Sequence, residues 1–135
     1  MGQQQLLLII LGVIVVGIAV AVGITMFQDN AVSANRDAVT NDLVNLASRA
    51  QQFYRRPQAL GGGGNSFVGL TANAAGLAKL TSKASNANGS YAISTAGTAT
   101  TVVLAGTGTE KGSNGSAISV TMSVFADSTY VTQNN

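Results

Sequence analysis

Side chains able to carry acid–base, nucleophilic or metal chemistry are few and scattered in this chain of 135 residues. Cys and His are both absent. Disulfides, thiolate nucleophiles and the usual zinc and transition-metal ligands are therefore excluded. The carboxylates are Asp29, Asp37, Asp42, Glu110 and Asp127. Asp29 and Asp37 lie eight residues apart and Asp42 follows five later, spacings that hold no two carboxylates against each other. Ser and Thr are abundant, yet nucleophilic and general acid–base catalysis need a positioned partner. No His can supply one, and Lys79 and Lys83 fall in a segment expected at the surface. Neither an enzyme nor a cofactor is expected. The Gly61–Gly64 run could suggest a phosphate-cradling loop, but no strand precedes it and no Lys-Ser or Lys-Thr follows. It reads instead as a flexible connector.

Charge points the same way. Only 9% of residues are charged, against roughly 25% in ordinary soluble domains. The formal net charge of +2 is too small for phosphate recognition, which needs a clustered basic face, so no nucleic-acid partner is expected. Two sites fit covalent sugar attachment. Asn88-Gly89-Ser90 and Asn114-Gly115-Ser116 match the N-x-Ser acceptor pattern. Asn-Gly is also a turn dipeptide, and the turn reading is preferred at both.

The elements that would position these residues are strongly patterned. Leu6 to Phe27 is apolar and carries no charge. As a helix this run is roughly as long as a bilayer core is thick. No Lys or Arg precedes it, unlike the basic start of a secretory signal, so it is expected to remain in the mature protein. From Gln28 to Arg56 the apolar residues Val32, Val39, Leu43, Leu46, Ala50 and Phe53 follow helical steps, a stripe along one face. Asn35, Arg36, Asp37, Thr40, Asn41, Asp42, Arg49 and Gln52 fall on the polar sides. Pro57, the single Pro, should end the helix near Arg55 or Arg56. That pair suits the negative end of the helix dipole, the preferred reading, or contact with a neighbouring subunit or an anionic surface.

Leu70 to Ser82 is expected to hold a short helix with Leu77 and Leu80 inward. Strand signals come next at Tyr91–Thr95, Thr100–Ala105, Ile118–Val124 and Thr129–Thr132, with β-branched content or apolar alternation. Gly106 to Gly115 reads as a Gly-rich hairpin connection. The fold class is α+β: a long N-terminal α-helix, about residues 3–56, with a small antiparallel β-meander packed on its C-terminal half. The organisation is 1–28, apolar helix half; 29–57, amphipathic helix half; 58–88, loop region; 89–135, a sheet of three to four strands. The aromatics are assigned to core packing rather than to electron conduction.

With this apolar segment, unbroken helix and small sheet, the chain resembles a bacterial type IV pilin or a type II secretion pseudopilin. The resemblance covers the whole architecture and is strongest from Gln5 to Arg56. It implies a helical homopolymer with the apolar helix halves in its core and the sheets outward. It further implies a membrane pool before assembly, pilus assembly machinery as partner, and an extracellular surface filament serving adhesion or motility. O-linked sugar on surface Ser and Thr residues would fit such a filament. A prepilin peptidase would remove a leader, leaving Met1 as a methylated N-terminus. The assembly residues are then Met1, Gln5, Leu6, Gly12, Gly17 and Gly23. The family usually carries Glu at the fifth mature position, where this chain has Gln5, and often Pro near position 22, where it has Val22. Gln5 can accept a hydrogen bond from an amine without the ion pair. The three glycines would let helices approach closely, or would mark a stretch that melts in the filament; close packing is preferred. Other readings are a pseudopilin piston, an archaeal pilin or flagellar subunit, and a single-pass anchor holding a small binding module.

Overall fold

In the computed structural model, which describes residues 2–134, one element dominates. Helix α1 runs unbroken over Gly2–Arg55, 54 residues, about 80 Å at ~1.5 Å per residue. Its first half is apolar on all sides. Its second half buries Val39, Leu43, Leu46, Ala47, Ala50 and Phe53. Val32, placed on the stripe by spacing, is only half-buried, because the packed head begins about one turn further along.

The helix stops where Pro57 removes the next donor. The glycine-rich segment beyond it is not a flexible connector. A 3-10 turn at Gln58–Leu60 ends on Gly61 at φ 80, in the left-handed region. The amides of Gly63, Gly64 and Asn65 then donate to the carbonyls of Phe53, Arg56 and Tyr54 at 2.8, 2.9 and 2.7 Å. Those are carbonyls the helix end would otherwise leave unsatisfied. A Cβ on Gly62 would meet the Arg56 carbonyl oxygen and one on Gly63 that of Ser66, while Gly61 and Gly64 take positive φ, so the run is glycine because the chain turns back tightly on its own backbone. A short helix α2, Ala74–Ala78, is capped by Asn73, whose side chain accepts from the Gly76 amide. Leu77 and Leu80 are buried beside it.

Four strands complete the head: β1 Gly89–Thr95, β2 Thr101–Lys111, β3 Ala117–Phe125 and β4 Thr129–Gln133. They pair antiparallel in the order β1-β2-β3-β4. The molecule is α+β, an antiparallel meander laid on the C-terminal half of α1. Inward residues Val102, Leu104, Val120, Met122 and Val124 meet the helix stripe.

The stretch from Gly106 to Lys111 is strand, not connection: β2 reaches Lys111, and the turn to β3 spans only 112–116. Its glycines reflect crowding. A Cβ on Gly106 would sit 2.6 Å from Cγ1 of Val39, and one on Gly108 would sit 2.2 Å from Oδ1 of Asn35. Gly in a strand often marks such a close approach. Here α1 crosses β2 at a distance no larger residue permits.

Candidate assembly helix and the clasp that holds the head

The apolar half of α1 stands clear of the head. Every large apolar side chain from Leu6 to Phe27 is 52 to 81% exposed. Gln5 is exposed in the same helical segment. Helical geometry is unbroken through Gly12, Gly17 and Gly23, and a Cβ at any of them would meet nothing within 4 Å. At ~100° per residue, Gly12 and Gly23 fall about 20° apart around the axis, while Gly17 points some 140° away. Two of the three glycines therefore share a face. Met1, the proposed N-terminal contact, lies outside the described residues.

The second half of α1 is fastened to the head by polar side chains that flank the apolar stripe. Asn35, Asp42 and Arg49 recur every seven residues on one flank, and each bonds to the head. Asn35 Nδ2 donates to the Asn88 carbonyl at 2.8 Å, while its Oδ1 accepts from the amides of Thr109 and Glu110 at 3.0 and 3.2 Å. These two amides are available because the β2–β3 register shifts between Thr107 and Lys111. Asp42 Oδ2 accepts from Nδ2 of Asn86 at 2.8 Å, from Nδ2 of Asn88 at 3.0 Å and from the Tyr91 hydroxyl. Arg49 Nη1 donates to the Leu80 carbonyl at 3.0 Å. On the other flank Gln51 Nε2 donates to the Phe125 carbonyl at 3.1 Å, and Arg55 Nη2 to that of Ala126 at 3.4 Å.

Asp42 is the electrostatic centre of this clasp. Burial alone would raise its pKa, but the bonds from Asn88, Tyr91 and Asn86 outweigh it, and the carboxyl titrates below its usual value. Burial, the bond to Asp42 and the Asp42 charge together push the Tyr91 phenol well above its usual range, opposed by Asn86. The arrangement stabilises a carboxylate and a neutral phenol in place. Such an ionised acceptor sharing three donors makes stronger bonds than a neutral one.

The sequence placed Asn35, Asp42 and Arg49 on polar sides and missed that they grip the head. Their heptad spacing beside the stripe was the signal. It likewise placed Arg55 at the helix end, where it reaches Ala126 of the head. The two Asn-Gly-Ser sites fare differently. Asn88 is half-buried in the clasp, its Nδ2 engaged by Asp42. Asn114 is exposed in the β2–β3 turn, its Oδ1 accepting from the Ser116 amide at 2.9 Å. Of the aromatics assigned to the core, Phe53, Phe67 and Tyr91 are buried, and the Tyr54 and Phe67 rings lie 4.8 Å apart. Phe27, Phe125 and Tyr130 are exposed instead.

The chain matches no protein-family model, no curated protein and no solved structure.

Proposed function

We propose that this chain is the structural subunit of a type IV pilin-like filament, polymerising through the apolar half of α1 into an extracellular surface fibre. One observation carries the reading. A single unbroken helix has an uncovered apolar half and a half that is the spine of a folded head. Burying one large apolar side chain contributes about 1.5–3 kcal/mol. The exposed run from Leu6 to Phe27 therefore represents on the order of 20 kcal/mol left unrealised in water, more than the ~5–15 kcal/mol net stability of a typical domain. Something apolar must cover it.

Lipid covers it while the subunit waits in the inner membrane. Copies of the same helix cover it in the fibre, where Gly12 and Gly23 open one face to close approach. Continuity of the helix into the head favours the polymer over a tethered binding module, since a rigid spine fixes each head relative to the bundle. The role is structural rather than catalytic, and its partners are other copies, the membrane and an assembly machine.

Electron microscopy of sheared surface material, with peptide identification, tests the reading. Fibres containing this chain are expected. Ile14→Lys is expected to abolish them, because a charge at the centre of an apolar span costs about 2.5–3.5 kcal/mol, while the head unfolds as before in detergent. Fibres undiminished by Ile14→Lys, or surface material with no fibre containing the chain, would refute it.

A further inference from the structure

The outward face of the sheet has an unusual composition. Strand alternation gives one face to α1 through Val102, Leu104, Val120 and Met122 and leaves the other face open. On that open face no charged residue occurs from Thr101 to Thr107 of β2 or from Ser119 to Phe125 of β3. Register sets Ser119 opposite Thr107, Thr121 opposite Thr132, and Ser123 opposite Tyr130. A row of small hydroxyl side chains, Ser119, Thr121 and Ser123, results along β3, flanked by Thr132 of β4 and by Val103, Ala105 and Thr107 of β2. One of these hydroxyls, that of Thr121, donates to the Thr132 carbonyl at 3.5 Å. At one end stand the two exposed aromatics of the head, Tyr130 at 67% and Phe125 at 37% exposure. Tyr130 faces Ser123, so Phe125 is its diagonal neighbour, a spacing that aromatic side chains can bridge. Exposed aromatics beside a stretch without charge are a feature shared with interaction surfaces.

We propose that this face binds a neutral polysaccharide, with sugar rings lying on Phe125 and Tyr130 and their hydroxyls bonded to the Ser and Thr row. The occupant follows from chemistry and placement. A sugar ring has apolar faces that suit an aromatic platform, and a rigid Tyr offers wide amphipathic contact at low entropic cost. Its hydroxyls both donate and accept, as do those of Ser and Thr. An ionic partner meets no counter-charge on this face between Thr107 and Phe125; Lys111 stands beyond the register shift, at the opposite end from Phe125 and Tyr130. A second copy of the chain is disfavoured by direction: α1 packs on the opposite side of the sheet, so polymerisation through α1 turns this face away from the fibre axis. That last step rests on the filament reading above; the composition does not.

Depletion assays test the proposal, using the full-length chain in detergent micelles and, in parallel, sheared fibres. The probes are insoluble cellulose and chitin, both neutral, and an alginate gel, which is anionic. Capture by at least one neutral polymer and not by alginate is expected. Tyr130→Ala and Phe125→Ala should each weaken capture about tenfold, the scale of a lost stacking contact. Thr121→Lys should also reduce it, and Tyr130→Phe should retain it. Each variant's unfolding midpoint verifies that the head is intact. No capture by either neutral polymer, equal capture by alginate, or capture undiminished in a folded Tyr130→Ala head overturns the proposal. So does a Ser123→Cys thiol that is labelled by a polar maleimide in micelles but protected in fibres, which would assign the face to a neighbouring copy. Capture from micelles without any fibres would sink the filament reading alone, and fibres without capture would sink only this one.

Discussion

Removing the Asp42 carboxylate isolates the clasp from the rest of the core. In Asp42→Ala three donors lose one acceptor: the amides of Asn86 and Asn88 and the hydroxyl of Tyr91. Asn86 is exposed and Asn88 half-buried, so water replaces much of what they lose. Tyr91 is 7% exposed, and a buried donor left without a partner costs ~1–3 kcal/mol. The expected loss is about 2–4 kcal/mol, a large share of the stability of so small a head. Tyr91→Phe removes the donor together with its need and should cost less, about 1 kcal/mol. In the double variant the two losses should fall short of their sum by roughly 1 kcal/mol, the mark of directly coupled residues. Urea unfolding of the full-length chain in detergent micelles, followed by the near-ultraviolet tyrosine signal, measures all three. The pH dependence has two limbs. The Asp42 carboxyl titrates lower in the folded protein than its usual 3.8, so its stabilisation is present above about pH 4 and is lost as pH falls through the lower folded value. Tyr91 has its pKa raised above the usual 10.0, so its contribution is present below about pH 10 and is lost as pH rises beyond that. Asp42→Ala should flatten the acid limb. Strict additivity, a change below ~0.5 kcal/mol in Asp42→Ala, or an acid limb that survives the substitution would refute the clasp as a source of stability.

Gly106→Ala should destabilise the head by about 1–3 kcal/mol, the usual cost of overpacking, since its Cβ would lie 2.6 Å from Val39 Cγ1; adding Val39→Ala to the same chain should recover part of the loss in a double-mutant cycle. Sugar attachment, if present, should occupy Asn114 and spare Asn88, as glycopeptide mass spectrometry would reveal. Asn88→Ala should cost about 1–2 kcal/mol through its lost bond to Asp42, whereas Asn114→Ala should stay within ~0.5 kcal/mol.

Much of the architecture was legible because the patterns were strong and local. The uncharged run from Leu6 and the stripe from Val39 to Phe53 specify one helix. Pro57 specifies its end through a missing amide. Alternation from Ile118 to Val124 specifies a strand whose two faces differ. Those signals depend on periodicity and on single-residue stereochemistry, which a linear chain carries by itself.

Glycine misled twice. Gly61–Gly64 and Gly106–Gly108 look like flexible punctuation, yet Gly61 and Gly64 are set by left-handed backbone and the others by backbone or side chain that fills the Cβ position. The Gly62 position is filled by the Arg56 carbonyl, and those of Gly106 and Gly108 by Val39 and Asn35. Sequence registers a missing side chain but not what occupies its place.

The chain's own pattern thus determined a long helix with an uncovered apolar half, a meander on its other half, and the absence of Cys and His chemistry. Only the tertiary structure decided which polar residues bind. Asp42 lies 44 residues before Asn86 and 49 before Tyr91, and only its heptad place beside the stripe, not its residue type, marks it apart from Asp37, five positions earlier and exposed. Its pairing, and the gathering of Phe125 and Tyr130 on one open face, depend on which flank of the helix meets the sheet and in what register. Those are properties of packing, set where distant segments compete for the same space.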